Sequence, residues 1–429
     1  MRVKITPSPV AGVVPAPPSK SYTHRAVIIG SLATGETRIQ SPLMSDDTIY
    51  TIEACRLLGA NIKRAENELT VTGSGGQLQT TYGEPVILVG NSGTTLRLVA
   101  GLAALAQARV ILDGDTRLRQ RPVGDLLIAL NSLGIPARSL TNNGCPPIEI
   151  RGGRLSGGKV AMRGLVSSQP ISSLLIIAPY AKNTLSLKVT GKLHSTPYIA
   201  MTLDIMRDFG VNVVNRDFRE FVVESGQTYR GRHYIVEGDY SSAAYFLAAG
   251  AIGGGPVSVV NLKADSQQGD RHFLTILSKM GCSVEYQGEE VKVSRNHELT
   301  GITVDMGDYP DIVPTLATVA AYARGHTEMG NIGHLKFKET NRISNTTAEL
   351  AKMEIKTEVT EDTMVVYGGR PKGAEIDSYN DHRMAMSFAI AALFADGASV
   401  INGAEAVNKS YPQFLTNLSS LGAKIEELL

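Results

Sequence analysis

Cysteine is scarce in this chain of 429 residues. Only Cys55, Cys145 and Cys282 are present, far apart, without a CxxC pair and without a cluster of histidines beside them. This pattern excludes the usual cysteine- and histidine-based zinc sites. It also favours a reducing compartment, because the cysteines of secreted proteins are usually paired in disulfides.

Long apolar runs are also missing. No stretch approaches the roughly 18 consecutive apolar residues that a membrane-spanning helix needs. The first residues, MRVKITPSPVAGVVPAPPSKS, contain no apolar core of the kind found in secretion signals. We therefore expect a cytoplasmic protein that does not bind membranes.

Excess charge and aromatic residues are lacking as well. The formal net charge is +1 and aromatic residues make up 6% of the chain. Neither value suits a general nucleic-acid-binding protein, which needs a basic surface and often stacking side chains. Any strongly positive site must therefore come from local clustering of lysine and arginine.

Nucleotide-binding loops are not recognisable either. The segment GRLSGGKV (153–160) fits the GxxxxGK pattern, but Val160 stands where a phosphate-binding loop has the serine or threonine that contacts magnesium. We predict a turn between two strands there. No GxGxxG motif follows a predicted strand.

An internal repeat is present instead. A phrase that ends a helical pattern and enters a strand recurs about every 70 residues, which is the mark of a repeated unit. Its copies are LLGANIK (57–63), SLGIPA (132–137), DFGVNV (208–213), KMGCSV (279–284), KMEIKT (352–357) and SLGAKI (420–425). The glycine that five copies share predicts a helix that ends at a left-handed residue, and the fifth copy has Glu354 in its place.

The repeat predicts the architecture. Six α+β units of about 70 residues indicate an α/β protein of two globes, each with three units, divided near Glu237-Gly238. A polar loop precedes a helix start in each unit. If these loops face one cleft between the globes, several helix N-termini would make that cleft attractive to anions.

Small and hydroxyl residues precede one such helix, in GNSGTTLRL (90–98). Gly90 and Gly93 allow tight backbone geometry, and the hydroxyl groups supply donors near a helix that should begin close to Thr94. The segment indicates an anion site, although similar turns also cap ordinary helices.

Further candidate segments lie in the first half of the chain. PPSKSYTHR (17–25) places Lys20 and Arg25 around a helix start, and RLRQRPVGDL (117–126) places Arg121 before a proline expected at the first helical position. SSQPISSLL (167–175) puts three uncharged donors before an apolar helix. Each segment suits an anion, but each could also be a solvated loop or an ordinary helix cap.

Carboxylates join the cations in the second half. Asp311 precedes an apolar helix in GDYPDIVPTLATVA (307–320), as its cap or as a base. Lys338, Glu339 and Arg342 are expected within one helical turn, where they could either transfer protons or form surface ion pairs. DHRMAMSFAIAAL (381–393) places Asp, His and Arg at the head of another apolar helix.

Together and in this order, these segments resemble the 5-enolpyruvylshikimate-3-phosphate synthase family. The resemblance rests on PSKSYTHR, GNSGTTLRL, RPVGDL, SSQPISSLL, PDIVPTLA, KETNRI, NDHRMAMSFA and the final NKSYPQF, and it runs from about residue 15 to residue 414. It implies an inside-out α/β barrel of two globes. The first would contain residues 1–17 with 238–429, the second residues 18–237, and the active-site cleft would lie between them.

The resemblance also implies a reaction of the shikimate pathway. The enolpyruvyl group of phosphoenolpyruvate would pass to the 5-hydroxyl of shikimate-3-phosphate, releasing phosphate through a tetrahedral ketal intermediate. No cofactor and no metal would be required, and the protein would be a monomer. Because Gly93 is retained, the resemblance further implies inhibition by glyphosate, which mimics phosphoenolpyruvate.

Site residues carry over position by position. Catalysis would involve Asp311 as base at the hydroxyl, Glu339 as donor of the methylene proton, and Lys20 and His382 in phosphate departure. Shikimate-3-phosphate would contact Lys20, Ser21, Arg25, Ser167, Ser168, Gln169, Ser195, Tyr198, Asp311 and Lys338. Phosphoenolpyruvate would contact Lys20, Asn91, Gly93, Thr94, Arg121, Gln169, Arg342, Arg383 and Lys409.

Some positions depart from the common family pattern, and two other functions remain open. His334 stands where asparagine is frequent, and Ser92 and Leu98 differ from the usual NAGTAMRP turn. The related transferase acting on UDP-N-acetylglucosamine typically carries a reactive cysteine in the loop that here reads DGDTRLRQRPVG. A phosphometabolite-binding protein without turnover would gain nothing from Asp311 and Glu339.

Overall fold

The computed structural model describes residues 1–81, 83–164 and 167–428. The chain divides into two compact units of mixed α/β structure. We call Met1–Pro17 with Glu237–Leu429 the terminal unit and Pro18–Val236 the central unit. Each unit has its own apolar core.

Short strands and helices alternate along both units. The strands are β1 (Arg2–Thr6), β2 (Gly12–Pro15), β3 (Glu36–Gln40), β4 (Asn61–Arg64), β5 (Glu68–Thr72), β6 (Val86–Leu88), β7 (Arg109–Asp113), β8 (Ala137–Ser139), β9 (Ile148–Arg151), β10 (Gly158–Arg163), β11 (Leu185–Thr190), β12 (Val214–Arg216), β13 (Glu220–Val223), β14 (His233–Ile235), β15 (Val257–Val260), β16 (Cys282–Gln287), β17 (Glu290–Arg295), β18 (Thr303–Asp305), β19 (His326–Gly330), β20 (Thr357–Val359), β21 (Thr363–Tyr367), β22 (Glu375–Asp377), β23 (Ser399–Asn402) and β24 (Lys424–Leu428). The α-helices are α1 (Lys20–Leu32), α2 (Asp46–Leu57), α3 (Gly93–Leu105), α4 (Gly124–Ser132), α5 (Gln169–Ile177), α6 (Thr196–Asp208), α7 (Tyr240–Gly253), α8 (His272–Lys279), α9 (Val313–Ala320), α10 (Arg342–Lys352), α11 (His382–Ala392) and α12 (Phe414–Ser420). Short 3-10 helices cover Leu118–Gln120, Ala178–Tyr180, Gly269–Arg271, Pro310–Ile312, Gly333–Phe337 and Ala404–Lys409.

The strands of the described residues form six four-stranded sheets, three in each unit. The central unit contains sheets of order β14-β3-β5-β4, β6-β7-β9-β8 and β10-β11-β13-β12. The terminal unit contains β16-β17-β15-β2, β18-β19-β21-β20 and β22-β23-β1-β24. Every sheet has one parallel pair followed by two antiparallel pairs, as β6, β7, β9 and β8 illustrate.

Three helices in each unit are buried on almost every side. They are α1, α3 and α5 in the central unit and α7, α9 and α11 in the terminal unit. Most of their residues are apolar or small, as in GTTLRLVAGLAAL, and a helix with so little polar surface packs in a core. Many of the residues singled out from the sequence lie at or near the N-termini of five of these six helices, and others lie at the starts of α6 and α10.

The repeated helix ends adopt the predicted geometry. Gly59, Gly134, Gly210, Gly281 and Gly422 all have positive φ, between 84° and 108°. Glu354 replaces glycine in the fifth copy and still adopts a φ of 61°. The left-handed residue is therefore confirmed in all six copies, and a strand follows each one.

Three local predictions can be compared with the structure. Residues 152–157 connect β9 to β10, so the predicted turn in GRLSGGKV is confirmed. Pro122 was expected at the first helical position, which is wrong, because α4 begins at Gly124 with Val123 at its N-cap. Within the described residues, no helix is both long and apolar enough to cross a bilayer.

Candidate active site

The Gly-Ser-Thr segment forms the start of α3 in the central unit. Ser92 is the N-cap, and its hydroxyl oxygen accepts a hydrogen bond from the backbone N–H of Thr95 at 3.3 Å. Gly93 is the first helical residue, in agreement with the predicted start near Thr94. The backbone donors of this first turn and the helix dipole favour a bound anion.

Arg121 lies directly against this turn. Its Nη1 donates to the carbonyl oxygen of Asn91 at 3.0 Å, and the side chain is buried. A Cβ atom added to Gly93 would come within 2.5 Å of the Arg121 Cζ atom. The absence of a side chain at Gly93 is therefore what allows the guanidinium to lie over the helix start.

Lys20 is the first residue of α1 and forms an ion pair inside the central unit. Its Nζ lies 3.0 Å from Oδ2 of Asp47, and both side chains are largely buried. The backbone oxygen of Asp47 accepts a hydrogen bond from the Thr95 hydroxyl at 3.1 Å. Lys20 is thus linked through Asp47 to the same helix that begins at Gly93.

Arg25 is buried and ties α1 to α6. Its guanidinium donates to the carbonyl oxygens of Ser21 and Tyr198, at 2.9 and 3.0 Å, and to the Thr202 hydroxyl at 2.8 Å. Burial lowers the pKa of this guanidinium to about 10, so it still carries a full charge near neutral pH. Ser195 is the N-cap of α6, in the left-handed conformation.

The Ser-Ser-Gln segment lies at the start of α5. Ser168 is the N-cap, and the Ser167 hydroxyl accepts a hydrogen bond from the Gln169 N–H at 3.2 Å. The Gln169 side chain reaches α3, where its Nε2 donates to the Thr94 hydroxyl at 2.9 Å. The structure therefore brings Thr94 and Gln169 together.

In the terminal unit, Asp311 receives hydrogen bonds from two buried arginines. Arg383 Nη2 donates to one carboxylate oxygen at 2.7 Å, and Arg342 Nη1 donates to the other at 2.9 Å. The sequence left Asp311 open as a helix cap or a base. The residue at the N-cap of α9 is Ile312, and Asp311 lies in the preceding 3-10 turn.

The charges around Asp311 determine its protonation. Burial alone would raise the pKa of this carboxyl group, but the nearby Arg383, Lys338 and Arg342 together outweigh burial and hold the pKa well below its usual range. Glu339 opposes them with a smaller effect. Asp311 is therefore an ionised carboxylate near neutral pH, as a proton acceptor must be.

Arg342 is the centre of a larger buried ion cluster. It donates to Asp381 at 2.8 Å, to Glu339 at 2.6 Å and to Asp311. Burial disfavours the charge of Arg342, but these three carboxylates reverse the effect and raise its pKa. Asp381 is also the N-cap of α11 and accepts a hydrogen bond from the Arg383 N–H at 2.9 Å.

The prediction that Lys338, Glu339 and Arg342 share one helical turn is wrong. The 3-10 helix Gly333–Phe337 ends before Lys338, which is extended, and α10 begins only at Arg342 with Asn341 as its N-cap. Glu339 therefore lies on a loop, which allows its carboxylate to fold back onto the Arg342 guanidinium.

The remaining predicted residues of the terminal unit lie near the same helix starts. His382 is the first residue of α11, with Nδ1 3.8 Å from a carboxylate oxygen of Asp381. Lys409 donates to the carbonyl oxygen of Asn380, just before α11, at 2.6 Å. His334 is buried in the 3-10 helix that precedes Lys338.

The buried charged residues of these clusters that were not selected from the sequence include Asp47, described above, and two others. Arg97 lies on α3, and Asp270 lies in the 3-10 helix before α8, where it hydrogen-bonds to Ser241 at the start of α7. The signal for Arg97 was available, because it is the one charged side chain in an apolar helix. Asp270 had no such signal, because its polar loop GDR reads as ordinary surface.

Six sheets of one arrangement, with helix starts that combine cations and carboxylates, define a mixed α/β protein of two similar units. Its fold is similar to that of a solved EPSP synthase from Acinetobacter baumannii, with a TM-score of 0.82 and 27% sequence identity over 99% of this chain and 100% of that one.

Sequence comparisons specify the family. The sequence model of EPSP synthase (3-phosphoshikimate 1-carboxyvinyltransferase) matches residues 5–418. A protein of Methanothermobacter thermautotrophicus named 3-phosphoshikimate 1-carboxyvinyltransferase is 45% identical over 416 residues, 96% of each chain. One of the same name from Methanocaldococcus jannaschii is 42% identical over 417 residues, 97% of this chain and 96% of that one. The chain belongs to the EPSP synthase family.

Proposed function

We propose that this protein transfers the enolpyruvyl group of phosphoenolpyruvate to the 5-hydroxyl of shikimate-3-phosphate and releases inorganic phosphate. Membership of the EPSP synthase family supports the reaction, as do relatives more than 40% identical that are named for it. The observation that carries the proposal is the ionised Asp311 carboxylate held between Arg342 and Arg383.

Both substrates are anions, so the site must first overcome their repulsion. A phosphate monoester carries about −1.5 to −2 charges near pH 7, and each substrate also has a carboxylate. Guanidinium and ammonium groups at helix N-termini can neutralise these charges and hold the two molecules in reacting geometry. The described clusters supply such groups in both units.

In the central unit we assign the phosphate of shikimate-3-phosphate to the hydroxyl and amide donors at the starts of α5 and α6. These donors are Ser167, Ser168, Gln169 and Ser195, with Lys20, Ser21, Arg25 and Tyr198 completing that set. Phosphoenolpyruvate is assigned to the start of α3, with contacts from Asn91, Gly93, Thr94 and Arg121. Lys20 and Gln169 serve both substrates.

In the terminal unit we assign the proton transfers to carboxylates. Asp311 accepts the proton of the attacking 5-hydroxyl as the new C–O bond forms, and Glu339, protonated once the bound substrate anion has taken over its ion pair with Arg342, delivers that proton to the methylene carbon of phosphoenolpyruvate. The product is a tetrahedral ketal. The Glu339 carboxylate then takes a proton back from the new methyl group as phosphate departs, which restores the double bond, and Lys20 and His382 assist the leaving phosphate.

Arginines and lysines complete this half of the proposed site. Arg342, Arg383 and Lys409 would bind phosphoenolpyruvate, and Lys338 would bind the acceptor. The same arginines that hold Asp311 ionised are thereby available to the substrate anion. A carboxylate with a low pKa is a weak base, so a substrate that draws Arg383 away would raise the basicity of Asp311 at the moment of reaction.

Several finer assignments belong to the same proposal. We infer that each unit is one half of an inside-out α/β barrel and that the protein acts as a monomer in the cytoplasm. Glyphosate should compete with phosphoenolpyruvate, because both are anions that suit the start of α3 at Gly93 and the Arg121 guanidinium that lies against it. The reaction as written uses no metal or cofactor.

The test is phosphate release by the purified protein. Shikimate-3-phosphate and phosphoenolpyruvate are mixed with it in the presence of a chelator, each substrate is omitted in turn, and inorganic phosphate is followed. Asp311→Asn should lower kcat by at least about 100-fold, the scale of a lost general base. Asp396→Asn is the control, because Asp396 is an exposed carboxylate that pairs with Lys372 at the surface.

The outcomes separate the alternatives. Phosphate release that needs both substrates supports the transferase. Phosphate release with UDP-N-acetylglucosamine in place of shikimate-3-phosphate would mean that UDP-N-acetylglucosamine is the acceptor. Calorimetric binding of shikimate-3-phosphate without any release would favour a binding protein. Equal activity of Asp311→Asn and Asp396→Asn would remove Asp311 from the proton transfer.

A further inference from the structure

Arg97 is a buried charge that the proposed reaction does not use. It lies on α3 with 3% of its surface exposed, one turn after Gly93. Its guanidinium donates to the Gly93 carbonyl at 3.3 Å, to the Pro122 carbonyl at 3.0 Å and to Oε1 of Gln169 at 2.8 Å. Three segments separated in sequence thus meet on one side chain.

Each of these segments carries a residue assigned to phosphoenolpyruvate. Gly93 is itself such a residue, Pro122 directly follows Arg121, and Gln169 begins α5. A guanidinium has five N–H donors in a rigid plane, which allows it to hold several acceptors in fixed relative positions. A lysine ammonium has all its donors on one nitrogen atom, so it cannot hold the same three acceptors in these positions.

The contact with Gln169 has a specific consequence. Because a guanidinium can only donate, it fixes the amide oxygen of Gln169 toward Arg97. The amide nitrogen must then point the other way, and it donates to the Thr94 hydroxyl at 2.9 Å. Arg97 therefore fixes the orientation of the Gln169 amide, with its NH2 group directed toward Thr94.

The backbone of Arg97 is anchored independently. The Ser173 hydroxyl on α5 donates to the Arg97 carbonyl oxygen at 2.7 Å, and α3 packs closely on α5. The two helices are thus joined at two levels, one through this hydroxyl and one through the Arg97 side chain. Replacement of the side chain leaves the first connection in place.

We propose that Arg97 is a positioning residue that aligns Gly93, Arg121 and Gln169 for phosphoenolpyruvate without touching the substrate itself. The inference rests on the proposed function. It predicts that loss of the guanidinium affects phosphoenolpyruvate more than shikimate-3-phosphate. Of the three residues that Arg97 aligns, only Gln169 is also assigned to shikimate-3-phosphate.

The first experiment compares Arg97→Lys with Arg154→Lys, an exposed arginine of the same unit. Arg97→Lys should raise KM for phosphoenolpyruvate by about tenfold, the effect of weakening one hydrogen bond to a charged group, and KM for shikimate-3-phosphate by less than about threefold. Thermal unfolding is recorded for both variants. An equal rise in both KM values, or a loss of stability without a change in KM, would overturn the proposal.

A double-mutant cycle with Gln169→Ala tests the route of action. If Arg97 acts partly through the Gln169 amide, Arg97→Lys should cost less in the Gln169→Ala background than in the wild-type background. Fully additive effects on kcat/KM for phosphoenolpyruvate would contradict that route.

Chemical rescue provides a readout that survives poor folding yield. Arg97, Pro122 and Ser167 line a cavity of about 270 Å³, which is large enough to admit a free guanidinium ion. Guanidinium at low millimolar concentration should restore part of the activity of Arg97→Ala, whereas ammonium should not. No rescue in a variant that unfolds like wild type would count against the proposal.

The wild-type protein assayed in parallel keeps the two hypotheses apart. If it releases no phosphate, the proposed function fails. If it turns over while Arg97→Lys behaves like Arg154→Lys, only the role of Arg97 fails.

Discussion

Gly93 and Arg121 are so close that no side chain fits between them. A Cβ atom built on Gly93 would lie 2.5 Å from both Cζ and Nη2 of Arg121, well inside van der Waals contact. Gly93 has ordinary helical backbone geometry, because its φ is not among the positive values. Glycine at this position therefore lets the Arg121 guanidinium keep its place, and its role is to leave space and not to provide backbone freedom.

Gly93→Ala should displace the Arg121 guanidinium while α3 keeps its start. We expect KM for phosphoenolpyruvate to rise by about tenfold and the inhibition constant of glyphosate to rise further, because one weakened hydrogen bond to a charged group, worth about 1.5 kcal/mol, changes binding by roughly that factor. Steady-state kinetics with both compounds measures this. Gly153→Ala is the control, since its added Cβ would have no heavy atom within 4 Å. Unchanged glyphosate inhibition in Gly93→Ala would refute this view of the pocket.

Asp270 is a buried carboxyl group in the terminal unit with an unusual pKa. Burial raises its pKa to about 7, with a further contribution from the negative charge of Asp311, while Arg383 and the hydrogen bond from Ser241 act in the opposite direction. Asp239 adds a smaller repulsion. Asp270 is thus protonated at pH 5 in the folded protein and ionised at pH 8.

A raised carboxyl pKa makes folding less favourable as pH rises. The unfolded chain ionises Asp270 near pH 4 but the folded chain only near pH 7, so stability is lost between these values and then levels off. Asp270→Asn should abolish this dependence. The melting temperature of wild type should fall relative to this variant by at least about 2 °C between pH 5 and pH 8.

The control for Asp270 is Asp265→Asn, an exposed carboxylate in the preceding loop. It should leave the pH dependence of the melting temperature as in wild type. If the melting temperatures of wild type and Asp270→Asn changed in parallel between pH 5 and pH 8, the buried carboxyl group would not have a raised pKa.

Glu354 occupies the helix-end position that is glycine in the other five repeats. Its φ of 61° lies in the left-handed region, where a residue with a Cβ atom costs about 1–2 kcal/mol of stability relative to glycine. Glu354→Gly should therefore stabilise the protein by about 0.5–1 kcal/mol after the entropy cost of glycine. Denaturant unfolding measures the difference. Glu354→Ala keeps the Cβ and should gain nothing; an equal gain in both variants would assign the effect to the lost charge.

Local features of the fold could be predicted because they depend on neighbours in sequence. The helix ends could be predicted from the recurrence of glycine after an apolar helix. The turn in GRLSGGKV could be predicted from its glycines alone. Even Glu354 fits, since the surrounding phrase KMEIKT retains the pattern. Where the signal was a single proline, as at Pro122, the helix start was misplaced by two residues.

The candidate site was less accessible to such reasoning. Lys338, Glu339 and Arg342 are near in sequence, but the end of one short helix and the start of another separate them. Asp270, Asp311 and Arg383 are distant in sequence, so their mutual electrostatics could not be read from any one segment. The contacts of Arg97 likewise join residues 93, 122 and 169.

The sequence by itself determined the repeat, the six helix ends and the residue types at the core helix starts, because these depend on local backbone preference and on apolar periodicity. Only the tertiary structure decided which charges meet. Packing brings Asp311 between the buried guanidinium groups of Arg342 and Arg383, and it is this proximity that holds the carboxylate ionised against the effect of burial.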